Sequence, residues 1–500
     1  MTRVGPSENR AGRVAQNAAA LGVSKAFTSG LLLAWQVALA RMLGAEQYGI
    51  YGTIGAMMAV GAAIPDPGVG VTYVRDVARR PEEAGRYLAA ALALHAVLGV
   101  FGYLVLQAGA AVLGYDADVR ALVAFVGVNL LIDALATAGH NQLIAAERMS
   151  LTAVLSAAHI AVLVVAGMLV LIAGGGLWGV YGAVFAAGLL RLAAYWVALR
   201  RRGWSPAFPV DRAAMRHLVL SGLPLGIAAF LSLGFLHADK LATTAMLGAE
   251  STGHLTAAFV IVFGTIELLG TTVLVAAFPV MSRLREDRDG GAALGAVSGL
   301  LHFNLLVGIP IAALLMVFAP EIASLIFGPG FGGAVSVLRV MSWYIVVRLA
   351  EGVLTQALIV EDRQRQVLVI RAFGLALNLA VTVILLPRLG LVAAAMGMIV
   401  GEVVVVASMV GVVRPSGDWW AEQGPRFATL AVPATALVAV LVALANRIPP
   451  VPAAIAGLAI YAGLAVVTGA ITEDHRRLLA QVAWHAPAAA LRRRWPGARR

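Results

Sequence analysis

Lys25, Asp133, Asp239, Lys240, Glu267, Arg348, Glu351 and Glu402 each interrupt, or close, a stretch of sequence that is otherwise almost wholly apolar. An ionisable side chain at such a place costs several kcal/mol in a bilayer unless it is paired or hydrated, so each is a functional candidate. The chemistry open to them is electrostatic: holding a charged ligand, exchanging a proton, or neutralising one another. Lys25 lies about eight residues into its apolar run, roughly 12 Å deep at 1.5 Å per residue. It can attract an anionic head group inward; the alternative is a buried pair with Asp133 or Glu267. Asp239 and Lys240 end their run, and adjacent helical residues do not face each other, so they suit either a cavity contact or an interfacial anchor. Arg348 and Glu351 are three apart and can neutralise each other on one helix face. Glu402, in IVGEVVVVAS, needs a proton or a partner such as Arg371. A carboxyl that changes protonation can couple movement of a solute to a proton gradient. His95, His140, His159 and His302 have no regular spacing, and no metal site is expected of them.

The elements that must carry these residues follow from composition. The chain has 500 residues, 60% hydrophobic and 13% charged, with a mean hydropathy of +0.87. Apolar runs of about twenty residues, enough to cross the hydrocarbon core as helices, recur throughout. About fourteen spans are expected, at about 17–43, 47–65, 87–113, 119–145, 149–173, 177–199, 214–238, 253–278, 292–318, 333–359, 366–386, 390–413, 427–446 and 451–472. The fold class is thus an all-α polytopic membrane protein. No cleavable signal peptide is evident, because the polar and basic start is followed by an apolar run too long for one.

The net charge of +11 is distributed by topology and implies no nucleic-acid partner. With the N-terminus inside, the inner segments hold most arginines, including Arg75, Arg79, Arg80 and Arg86, a run from Arg191 to Arg216, and Arg363, Arg365 and Arg371. The outer loops carry few cations, Arg41 and Lys240 among them. The bias places both termini in the cytoplasm of a cytoplasmic membrane, bacterial or archaeal. Beyond residue 473, Leu478, Leu479, Val482 and Trp484 beside Arg476 and Arg477 suit an amphipathic stretch on an anionic membrane face.

A motif is written twice. MLGAEQYG at 42–49 recurs as MLGAESTG at 246–253, displaced by 204 residues. A period this long marks a duplicated half-molecule, and both copies read as short outer turns between spans, so the halves are parallel repeats. The organisation expected is a cytoplasmic segment at 1–16, an N-lobe of six spans at 17–208 and a C-lobe of six at 209–415. Two additional spans at 416–473 and a basic tail at 474–500 complete it. The copies differ at Lys25, which aligns with Ala229, and at Arg41, which aligns with Ala245; function is expected where they disagree.

Covalent chemistry has no carrier. There is no cysteine, no P-loop, HExxH or G-x-S-x-G, and the longest outer loop, 320–333, is too short to build a transferase pocket. A transporter is expected rather than an enzyme, with no cofactor beyond H+ or Na+ as a coupling ion.

Leu39-Ala40-Arg41-Met42-Leu43-Gly44 with Tyr48-Gly49 and Tyr51 resembles the segment that closes the first helix of polysaccharide flippases. Asp66-Pro67-Gly68 and Arg75-Asp76 resemble the end of that family's second helix and its first cytoplasmic loop. Leu223-Pro224-Leu225, Asp239-Lys240, Phe278-Pro279, Ala319-Pro320-Glu321 and Leu325-Ile326-Phe327-Gly328 follow in the family's order. Over residues 10–415 the chain resembles Wzx-type members of the multidrug/oligosaccharidyl-lipid/polysaccharide (MOP) exporter superfamily. The resemblance implies two six-helix lobes about a central cavity and flipping of polyprenyl-diphosphate-linked oligosaccharides between leaflets by alternating access. It also implies the bilayer and other polysaccharide-assembly proteins as partners. The substrate contacts expected are Lys25, Arg41, Arg75, Asp133, Asp239, Lys240 and Glu267, with Arg348, Glu351 and Glu402 as coupling or structural ion pairs. A cation-coupled drug exporter, with Asp133, Glu267 and Asp239 as its site, and a peptidoglycan-precursor flippase are the alternatives.

Overall fold

A computed structural model of the chain describes residues 6–284, 290–413, 417–445 and 447–471. Side chains are described at 28–269, 295, 297–413, 419, 421–445 and 447–471. Every regular element among the described residues is helical: α1 (Pro6–Gly61), α2 (Val69–Arg79), α3 (Ala84–Val112), α4 (Ala117–Ala145), α5 (Met149–Ile172), α6 (Gly176–Arg200), α7 (Arg212–Leu247), α8 (Ala249–Leu284), α9 (Gly290–Val317), α10 (Ala319–Phe327), α11 (Ala334–Met341), α12 (Tyr344–Val360), α13 (Gln364–Leu389), α14 (Val392–Val413), α15 (Gly417–Ala428), α16 (Ala431–Ala445) and α17 (Pro450–Val467). Among the described residues eleven helices are long and apolar enough to cross a membrane, or twelve if α11 and α12, bent by 40°, form one span. The break inside α1 at Gly44 falls between the first two expected spans. The protein is a multi-pass membrane protein. The basic tail at 474–500 lies outside the described residues.

The chain divides into two compact units, 1–256 and 257–500, with the boundary inside α8. In the first unit the repeated motif is not a loop but a one-residue break. Gly44 (φ 75°, ψ 173°) interrupts α1, and Gly248 (φ 86°, ψ 175°) separates α7 from α8 in the same conformation. That region of φ/ψ space is glycine's, since a Cβ would clash with the backbone. The two copies then pack on each other reciprocally. A Cβ at Gly49 would fall 1.7 Å from the Ala249 carbonyl oxygen, and one at Gly253 would fall 1.9 Å from that of Ala45. Ala45 and Ala249 are equivalent in the repeat, as are Gly49 and Gly253, so the contact has the form that a local two-fold relation demands. Next to it, the hydroxyls of Thr53 and Thr244 (2.6 Å) and of Thr244 and Thr252 (2.7 Å) satisfy each other.

The Asp66-Pro67-Gly68 turn lies directly on α7 at Gly222 and Gly226, and the Gly70 N–H donates to Asp66 Oδ1 (2.9 Å). Two sequence motifs far apart in the chain therefore meet. α2 buries Val69, Tyr73 and Val77 against Leu88, Leu94, Leu143, Leu199 and Leu218 of α3, α4, α6 and α7. Its polar face carries Asp76, which accepts from Arg75 (2.9 Å) and lies 2.7 Å from His217 Nε2. Burial alone would raise the Asp76 carboxyl, but the hydrogen bonds from Arg75 and His217 hold it below its ordinary value. Arg86 reaches Asp211 (2.5 Å) and Glu83 (2.9 Å), and the Ala207 N–H donates to the Gly85 carbonyl (2.9 Å). The segment between α6 and α7 is thus tied back to the start of α3.

In the second unit α13 and α14 pair along their lengths and α12 packs on both α9 and α14. α16 and α17 pack on α9 through Leu437, Leu441, Ala453, Ala465 and Leu306, and Tyr461 donates to the Leu306 carbonyl (2.8 Å). The outer loop expected at 320–333 is largely helical, as α10 and a short 3-10 turn, 329–331.

Candidate functional site

α4 carries Asn129, Asp133, Thr137 and His140 at steps of four, four and three, which puts them on one face. α6 carries Gly188, Arg191 and Tyr195 at steps of three and four, again one face. The two helices pack together, and Arg191 Nη2 donates to Asp133 Oδ1 at 2.6 Å. Gly188 makes the close approach possible: a Cβ there would stand 3.2 Å from Asn129 Oδ1 and 4.0 Å from Asp133 Oδ1. Nearer the C-terminal ends of α4 and α6, His140 Nδ1 and Tyr195 OH are 2.9 Å apart. Ser156 of α5 lies 3.3 Å from the same hydroxyl. His159, also on α5, is within electrostatic reach of Arg191. Three apolar helices thus direct a continuous polar stripe at one another.

This pair is unusual in being open. The Asp133 side chain retains 48% of its accessible surface although it lies in the middle of an apolar span; Arg191 retains 24%. Behind the carboxylate the site is sealed: both amide atoms of Asn129 and Arg191 Nε are buried with no hydrogen-bond partner among the described residues.

The second unit holds a closed counterpart. Arg348 donates to Glu351 and to Glu402 (3.2 Å), while Arg371 Nη2 donates to the other oxygen of Glu351 (2.5 Å). Thr355 adds a hydroxyl to that oxygen (2.6 Å). Two guanidinium groups and two carboxylates cancel, and α12, α13 and α14 are tied together. Glu351 and Glu402 retain only 1% and 4% of their side-chain surface.

Lys25 is in α1, but its side chain lies outside the described residues. Arg41 is exposed on α1 and Glu267 on α8, and Arg75 sits on α2 against Asp76. Asp239 and Lys240 do not end their helix, because α7 continues to Leu247; they are buried at 0% and 8% exposure. The Lys240 N–H donates to Asp239 Oδ1 (2.9 Å). Asp133 pairs with Arg191, a residue expected among the cytoplasmic arginines. The expected span 177–199 contained Arg191, so the signal was there: an arginine deep in an apolar run needs an acid. Arg371 is corrected likewise, since it lies within α13 and holds Glu351, while the partner of Glu402 is Arg348. The expected Arg348–Glu351 pair is present. Among the described residues no three His, Asp or Glu side chains converge on a metal position.

The family model described as polysaccharide biosynthesis protein matches residues 14–285. No curated protein matches the sequence. Among solved structures, the lipid II flippase MurJ in an inward closed conformation aligns with 92% of this chain and 99% of its own, at 12% identity and a TM-score of 0.73. An inward-facing multidrug resistance MATE family transporter of the MOP superfamily aligns with 77% of this chain and 94% of its own, at 18% identity and a TM-score of 0.59. A MOP superfamily transporter from Pyrococcus furiosus aligns with 80% and 96%, at 16% identity and a TM-score of 0.52. The chain belongs to the polysaccharide biosynthesis protein family, and its multi-pass helical fold is the one seen in these transporters of the MOP superfamily.

Proposed function

We propose that the protein is a flippase that carries a polyprenyl-diphosphate-linked oligosaccharide from the cytoplasmic to the outer leaflet for surface polysaccharide synthesis. The observation that carries this reading is the family match over residues 14–285. The ionic inventory supports it. Of the acids a cation exporter would use, Asp133 is engaged by arginine and Asp239 is fully buried beside Lys240, while Glu267 is exposed on α8; Glu351 and Glu402 are engaged by arginine as well. Engaged charges lower the cost of a polar path without committing it to ions of one sign, which suits a substrate whose bulk is uncharged sugar. A lipid-linked peptidoglycan precursor is the second substrate to try, because the likeness to the MurJ fold extends over 92% of the chain.

The test is reconstitution. In proteoliposomes the protein should move lipid-linked oligosaccharide extracted from the source membranes to the opposite leaflet, read by accessibility to an added glycosidase. Movement of a cationic dye instead, with no movement of the lipid-linked sugar, would establish the exporter. The orientation proposed with this function puts a reporter fused after Gly253 outside and one fused after Arg288 inside.

A further inference from the structure

Three features of the Asp133–Arg191 pair need a common explanation. First, an acidic side chain in mid-span, paired with an arginine, keeps nearly half of its surface open. A carboxylate does not face hydrocarbon, so that surface faces a hydrated passage. Second, the open group is already neutralised by a guanidinium at 2.6 Å. Neutralised, it is a poor trap for a cation, and the guanidinium Nε is buried away from any incoming anion. What remains exposed is hydrogen-bond acceptor capacity, fixed in orientation by Arg191. Third, the half-buried groups on the same stripe are mixed donors and acceptors of moderate strength: Thr137, His140 and Ser156, the last two held by the buried Tyr195 hydroxyl. Asn129 and Arg191 add unspent capacity behind them. A charge-balanced surface with oriented acceptors and mixed donors is complementary to a neutral polyhydroxylated ligand.

We propose, resting on the flippase reading above, that the Asp133–Arg191 pair of the first unit is a contact for the glycan part of the substrate. Asp133 accepts from sugar hydroxyls, and Arg191 acts as its positioning residue. Gly188 keeps the space in front of Asn129 clear, so the amide can join when the ligand displaces the packing around it. The lipid and its diphosphate are held elsewhere.

The full-length protein in nanodiscs distinguishes this from the alternatives with two probes: lipid-linked oligosaccharide from the source membranes, and the same polyprenyl diphosphate carrier stripped of its sugars. Asp133→Ala should weaken binding of the glycosylated probe about tenfold and leave the bare carrier unchanged, while Asp133→Asn, which keeps an acceptor oxygen, should weaken it less. Because Asp133→Ala strands Arg191, the paired variant Asp133→Leu with Arg191→Met is the folding-safe version, and it should show the same selective loss. Equal loss for both probes would make the pair a head-group or structural element and overturn the proposal, as would no loss for either. Asp133→Asn as severe as alanine, with wild-type transport driven by a pH gradient, would make Asp133 a proton carrier and also overturn it. If the wild-type protein binds neither probe, the flippase reading itself falls.

Discussion

The two units each set an arginine–carboxylate assembly among apolar helices, and the assemblies differ in the quantity that matters. In the second unit Glu351 is shared between Arg348 and Arg371 and capped by Thr355, with 1% of its side chain exposed. In the first, Asp133 has one arginine and is 48% exposed. A closed network of matched charges is a device for fixing three helices in register; its desolvation is tolerated because each carboxylate is held by a guanidinium. An open pair gives up that rigidity and keeps bonding capacity for something that comes and goes. Intramembrane charge is therefore not one signal but two, and exposure separates them.

The sharpest way to break the comparison is at its closed end. Glu351→Ala leaves Arg348 and Arg371 without their shared acceptor and should cost about 3–5 kcal/mol, read as loss of monodisperse protein and a lower midpoint in detergent melts. Glu402→Gln leaves Arg348 its bond to Glu351 and should cost less, roughly 1–3 kcal/mol by the same assay. At the open end, replacing Asp133 by Leu and Arg191 by Met together should change stability by no more than about 1 kcal/mol, with transport lost. The smallest effect belongs to a charge outside the bilayer. Asp76 has a carboxyl held below its ordinary 3.8. Its contribution is therefore complete above about pH 4 and is lost as the pH falls through the lowered value. Hydrogen exchange in α2 should accelerate over that window by an amount corresponding to less than about 1 kcal/mol, and Asp76→Asn should abolish the acceleration.

Much of the fold was legible because membrane helices announce themselves by length and apolarity, which depend on no partner. The duplication was legible because MLGAE is repeated almost verbatim. Its geometry was not: that Gly49 and Gly253 pack on the opposite copies' carbonyls depends on helix rotation about a single glycine break. The same holds for the site. Asp133 stood out in its span, but its partner is 58 residues away on α6, and nothing local in the sequence chooses Arg191 over Lys25. Proximity of candidate partners to a predicted boundary misled twice, at Arg191 and Arg371, since long arginine side chains look interfacial wherever a span edge is uncertain. The sequence reads α10 as part of an outer loop, although Pro320 at its start and Glu321 in its first turn are helix-opening residues.

On this reading the open pair meets the substrate and the closed network holds the helices. Transport of lipid-linked oligosaccharide per correctly folded molecule, measured in proteoliposomes for the Asp133→Leu/Arg191→Met protein and for Glu351→Gln, tests it most directly. Near-wild-type abundance with lost transport is expected of the first. Low abundance with specific transport close to wild type is expected of the second. Retained transport in the first, or a well-folded but inactive second, would contradict it.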